Sequence, residues 1–191
     1  MKRAVILFLA TLLCGAIVAG AQEKPGVAPL VKTVNGYLSW VESEMVPAVE
    51  AMPADKFNFA PTQGEFKGVR TFAQQATHIA VENYLVGSAI LREKSPVALG
   101  NGEFANPPKT KEEIVKLRKD SFAYAHKAFL SINDENAYVE IQSPWNPKGK
   151  INNVALAIGT IAHPWDHYGQ MVEYLRMNQI IPPASRPKEK K

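Results

Sequence analysis

The 191-residue sequence is nearly without cysteine: Cys14 stands alone, so no disulfide can close within the chain and a disulfide scaffold is excluded. Charge of one sign is also scarce where it would matter. The formal net charge is +4, but Lys2, Arg3 and the lysine-rich end from Ala184 supply it, and residues 22–183 sum to −1. No basic face follows, which removes the electrostatic case for a nucleic-acid partner. Strand-like alternation is missing too; the stretch Tyr138–Ile141 is too brief to found a sheet. What the chain does have is apolar content. At 46% hydrophobic and 21% charged residues it is too apolar for a disordered chain and sufficient for the core of one domain.

The longest uncharged apolar run lies at the start. Lys2 and Arg3 precede Ala4–Ala21, which carries no charge and ends in Ala19-Gly20-Ala21, the small-x-small pattern of a secretory cleavage site. The run is also nearly long enough for an uncleaved anchor, but its ending favours removal. Leu13 stands where a lipoprotein would place a small residue before Cys14. The expected plan is a signal peptide over 1–21, a linker over 22–27, a folded domain over 28–183 and a basic disordered tail over 184–191. Export to the periplasm or the medium follows from it, with no membrane contact once the signal is removed.

Apolar residues then recur three and four apart. Leu30, Val34, Leu38, Val41, Met45 and Val49 predict a helix over 28–52, with Pro47 as a kink. A second helix starts after the N-cap Thr71 and runs to about Arg92. A third opens on the Thr110/Glu113 capping-box pattern and runs to about Ile132. The fourth spans about Asn152–Asn178 and stops before Pro182-Pro183. Four long helices in one domain predict an all-α, four-helix bundle with long inter-helix loops.

Four histidines remain in the expected mature chain. His163 and His167 stand four apart, so both rings project from one face of the fourth helix. Neutral imidazoles in this arrangement can share a divalent cation, and His78 on the second helix is the natural third donor. Gln74, Gln75 and Glu82 share the face of His78, while Gly159, Thr160, Gln170 and Tyr174 lie along the His163/His167 line. Buried polar lines on two helices need partners, which a metal would supply. Two histidines at this spacing are also ordinary as surface or hydrogen-bonded side chains, so the spacing alone leaves both readings open. Pro164 follows His163 where a zincin motif needs glutamate. Glu82 and Asp166 are candidates for a fourth ligand or an orienting carboxylate. His126, Trp145 and Trp165 read as packing or structural residues.

The run His163-Pro164-Trp165-Asp166-His167-Tyr168-Gly169-Gln170, followed by Tyr174-Leu175-Arg176 and Ile181-Pro182-Pro183, resembles the C-terminal signature of the DinB-like superfamily. Pro61-Thr62 and Val69-Arg70-Thr71-Phe72, with His78 seven residues after Thr71, resemble its earlier part. The resemblance implies an up-down-down-up bundle and a divalent cation, zinc or nickel, held by His78, His163 and His167. Pro164, and Asp166 where similar members often carry glutamate, depart from the pattern. Some similar proteins are metal-dependent transferases acting with low-molecular-weight thiols. Two functions are therefore expected. One is a metal-dependent hydrolase or thiol transferase for a small-molecule substrate, with Glu82, Asp166 or Tyr168 as proton carriers. The other is a non-catalytic, metal-stabilised binding module that forms a homodimer through helix faces.

Overall fold

The computed structural model describes residues 26–100 and 103–187. The expected signal segment and the last residues of the tail lie outside them. Four helices make the fold: α1 (Ala28–Ala51), α2 (Phe72–Leu91), α3 (Lys111–Leu130) and α4 (Asn153–Met177). Their starts follow from local chemistry. Thr71 Oγ1 accepts the Gln74 N–H at 3.2 Å while Gln74 Oε1 accepts the Thr71 N–H at 2.8 Å, a reciprocal capping box. Thr110 and Glu113 repeat it at α3, and Asn152 Oδ1 caps α4 through the Ala155 N–H. Both prolines inside helices, Pro47 and Pro164, are accommodated without ending them. Helix α4 thus carries His163 and His167 on one unbroken element.

Side-chain pairings set the directions of the helices. Asn83 of α2 bonds Ser121 of α3, and further along both chains Gly87 meets Tyr124 and Ala128, so α2 and α3 run parallel. Trp40 packs on Trp165 and Glu44 receives Tyr168, so α1 and α4 also run parallel. His126 reaches Asn35 while Lys119 reaches Glu50, which makes α1 and α3 antiparallel. Gln75 bonds Gln170 and His78 faces His163, so α2 opposes α4. The course is up-down-down-up. Each 20-residue helix is about 30 Å long, and a parallel neighbour can begin only after the chain has returned that distance. The long connection Arg92–Thr110 makes that return.

The core lies between the four helices. Leu38, Met45, Phe72, Ile79, Phe122, Phe129, Leu156, Met171 and Leu175 are all fully buried in it. A smaller cluster of Ala80, Val81, Tyr84 and Phe104 fastens the Arg92–Thr110 connection onto the outer side of α2. Val27 is buried and its N–H donates to Asp134, so the ordered domain includes the end of the expected linker. At the other end, Pro183–Ser185 form a 3₁₀ turn against α1, so order also extends past 183 into the expected tail.

One expectation needs correction. Two short antiparallel hairpins form: β1 (Leu99–Gly100) with β2 (Glu103–Phe104), and β3 (Glu140–Gln142) with β4 (Lys150–Asn152). Ladders this short carry little periodicity of their own. The second is held by its turn, where Gln142 Nε2 donates to the carbonyls of Asn146 (2.9 Å) and Gly149 (2.7 Å). No helix among the described residues is long and apolar enough to cross a membrane.

Candidate metal centre

The antiparallel packing of α2 on α4 brings three histidines together. His78 projects from α2, and His163 and His167 from successive turns of α4. Ring centroids are 5.2 Å apart for His78–His163, 5.0 Å for His78–His167 and 4.6 Å for His163–His167. One nitrogen from each ring lies within 4.8 Å of the others, and no carboxylate belongs to the group.

The polarity of the site can be worked out from one end. The Asp166 carboxylate can only accept, so the amide nitrogen of Gln170 faces it at 3.2 Å. Gln170 Oε1 must then point the other way, and it accepts from Gln75 Nε2 at 2.7 Å. Gln75 Oε1 is left to accept from His167 Nδ1. The proton of the neutral His167 ring therefore sits on Nδ1, and Nε2 offers a lone pair. That lone pair stands 2.8 Å from His163 Nε2.

Burial lowers the pKa of His78 to about 4, helped by the nearby Arg70 guanidinium and the other two rings. His167 is likewise lowered to about 4, by burial first and then by His163, with Arg70 and Arg118 adding to the effect. Both rings are thus neutral near pH 7, the form that binds metal. A buried nitrogen, His78 Nδ1, has no hydrogen-bond partner among the described residues. Three convergent imidazoles, with an unsatisfied buried nitrogen among them, fit a divalent cation of the kind that imidazole favours.

The other expected residues are placed as follows. Gln75 and Gln170 join the site through the chain of hydrogen bonds, with Asp166 at its end. Gln74 caps α2, and Tyr174 donates to the Arg70 carbonyl at 3.1 Å. Glu82 accepts the indole N–H of Trp145 at 2.7 Å. Tyr168 is turned toward α1, where its hydroxyl donates to Glu44 at 3.0 Å; burial, then Glu44, pushes its pKa up to about 12. His126 sits between Asn35 and Glu42 and ties α3 to α1.

Beside His167 opens a cleft of about 750 Å³, with Arg70, Thr77, Glu103, Phe104 and Asp166 among its walls. Sequence reasoning missed Arg70, whose loop position has no periodicity. It also missed Arg118, although a lone arginine in the apolar series Ile114, Phe122, Ala125 and Phe129 was a visible signal. That guanidinium is fully buried, 4.7 Å from the Phe122 ring, and its three nitrogens have no hydrogen-bond partner among the described residues.

Comparison with curated proteins finds no match. Among solved structures, the chain is similar to a DinB-like protein from Bacillus cereus ATCC 10987, with a TM-score of 0.62 at 13% identity, covering 83% of this chain and 96% of that one. At that identity the likeness establishes the fold. The family model described as the DinB superfamily matches residues 37–171, a span that contains all three histidines. On that match, joined to the bundle just described, the chain belongs to the DinB superfamily.

Proposed function

We propose that the protein is an exported metal-dependent enzyme, a hydrolase or thiol transferase, whose divalent cation is held by His78, His163 and His167. The observation that carries this reading is the meeting of three imidazole nitrogens from two helices with no carboxylate among them. Three protein ligands leave a coordination position for a small molecule, the pattern of catalytic rather than structural sites. When bound, the cation supplies Lewis-acid chemistry that acidifies a coordinated water or thiol. Zinc and nickel both suit imidazole ligands. The chain's own residues orient and enclose: Gln75 fixes the His167 ring, Gln170 and Asp166 fix Gln75, and Arg70 and Glu103 stand on the walls of the adjoining cleft. Export rests on the run Ala4–Ala21 and its small-x-small ending.

The test is metal analysis of the purified mature protein, followed by thiol-transfer and ester-hydrolysis panels on the parent and on His78→Ala. One bound divalent ion per chain and turnover lost in the variant are expected. A metal-free parent that takes up neither zinc nor nickel overturns the reading.

One observation favours the second reading, a non-catalytic module. All three histidines come from α2 and α4, so a cation there would staple two helices and add to stability. A homodimer would cover Tyr37 and Trp40, which are 50% and 53% exposed on α1. Metal-dependent stability without turnover, together with a dimer in analytical ultracentrifugation, identifies this alternative.

A further inference from the structure

The cleft beside His167 has a wall that the cation leaves without a task. Arg70 lies on it, with Glu103, Asp166, Gln170 and His167, so a molecule filling the cleft meets the guanidinium and the histidine site together. The volume, about 750 Å³, falls within the range of small-molecule sites, roughly 300–1,000 Å³. The chain pins the backbone of Arg70 at this place. Its carbonyl accepts the Tyr174 hydroxyl of α4 at 3.1 Å. Thr71 follows as the N-cap of α2, and the N–H groups of Phe72 and Ala73 donate to the carbonyls of Phe59 (2.9 Å) and Phe57 (2.8 Å). Arg70 is thereby tied to α4, the helix of His163 and His167, while its own side chain stays exposed.

The guanidinium is unengaged. Among the described residues it enters no hydrogen bond and no ion pair, although two carboxylates share the cleft. Asp166 is taken by the Gln170 amide at 3.2 Å, and Glu103, carried by β2, makes no ion pair with Arg70. The charge is nevertheless felt at the histidines, where Arg70 helps to hold the pKa values of His78 and His167 down. An arginine presents a planar fork of donors and no acceptor, a shape that matches the two oxygens of a carboxylate. With a divalent cation on the histidines, the positive groups outweigh the carboxylates of Glu103 and Asp166 by one charge. A monoanion brings the cleft to neutrality, whereas a dianion overshoots it.

We propose that Arg70 sets the specificity of this cleft and that the ligand it selects is a small monocarboxylate, held by its carboxylate on the Arg70 fork with its other end at the cation. The inference rests on the metal reading above and names the substrate class of that same site. Arg70 binds the part of the substrate that does not react, and so fixes which molecules are presented to the three histidines.

The test uses the mature protein loaded with cobalt(II), whose visible spectrum reports a new sulfur ligand. Mercaptoacetate, 3-mercaptopropionate and 4-mercaptobutyrate, each with its neutral primary amide, are titrated into the parent, Arg70→Met and Arg70→Lys. At the best-fitting chain length the parent is expected to prefer acid to amide by about tenfold, the low end for bonds to a charged group because Arg70 is open to solvent. Arg70→Met is expected to bind acid and amide alike, and Arg70→Lys, which keeps the charge but loses the fork, to retain part of the preference. Amide affinities are expected to stay within about twofold across the three proteins. An acid preference that survives Arg70→Met undiminished, or that is absent from the parent at every length, overturns the assignment and leaves the metal reading standing. Tighter binding of the dianion 2-mercaptoethylphosphonate than of the acids overturns the choice of a monocarboxylate. Failure of the parent to bind cobalt, zinc or nickel overturns both readings.

Discussion

Asp166 and His167 are adjacent in sequence, yet the carboxylate of one reaches the ring of the other only by a detour through Gln170 and Gln75, out along α4, across to α2 and back. The detour gives the amides a direction. Because the carboxylate can only accept, every amide in the chain is oriented, and His167 is held as the tautomer whose Nε2 faces the other histidines.

Gln75→Leu removes the middle of this chain at similar volume. His167 Nδ1 then loses its acceptor and Gln170 its donor. The expected outcome is zinc or nickel affinity about 10–100-fold weaker, the usual cost of losing an orienting partner behind a ligand, measured by competition with a chelating dye. Unchanged affinity in a folded variant would show that packing alone orients the ring.

The histidine pKa values predict how stability depends on pH. His78 and His167 are held at about 4 in the folded protein, against 6.5 for the unperturbed ring. Above pH 6.5 both states are neutral and the contribution is at its full value. As pH falls from 6.5 toward 4 the unfolded chain takes up protons that the folded site refuses, so stability declines; below 4 these two groups add no further slope. His78 is partly open to water while His167 is buried, and the loss is on the order of 1–2 kcal/mol per histidine after discounting for solvent screening. Thermal melts of the chelator-treated protein at pH 4, 5.5 and 7 check the slope. His78→Asn should flatten it.

Much of this was legible because it depends on neighbours along the chain. Thr71 and Thr110 announce their helices through residues three positions on, and the spacing of His163 and His167 places both rings on one face. That His78 would join them was readable only as a polar line on another helix. Contacts without a spacing rule were hidden. A helical wheel shows which face Tyr168 occupies, but only the parallel packing of α1 and α4 shows that this face meets Glu44. Trp145 read as a packing residue because nothing in a loop sequence records that it crosses to Glu82. The two hairpins were hidden for a related reason, since turn bonds hold them more than strand pattern does.

Arg118 is a cation where the core offers nothing to pair with it. It is fully buried, all three nitrogens lack a hydrogen-bond partner among the described residues, and desolvation brings its pKa down to about 9. A buried charge without a partner costs more than an apolar side chain of similar volume. Arg118→Met is therefore expected to stabilise the protein by about 1–4 kcal/mol, read as a rise in the urea midpoint at unchanged slope. A loss of stability would mean that the guanidinium has a counter-group in solution, for which Glu42, the acid nearest in effect, is the first to examine.

Metal binding and folding should be coupled through α2 and α4. A cation held by His78 of one helix and by His163 and His167 of the other binds the folded chain far better than the unfolded one. With free metal at about 100 times its Kd, the folded state gains about 2.7 kcal/mol. For a domain of this size that corresponds to roughly 5–10 °C in Tm. The shift should disappear on chelation. It should also be absent in His163→Ala, while Glu82→Gln, which alters only the hydrogen bond to the Trp145 indole, should retain it in full. Calorimetry of the three proteins with and without zinc separates these outcomes. A shift that survives His163→Ala would place the cation elsewhere on the chain.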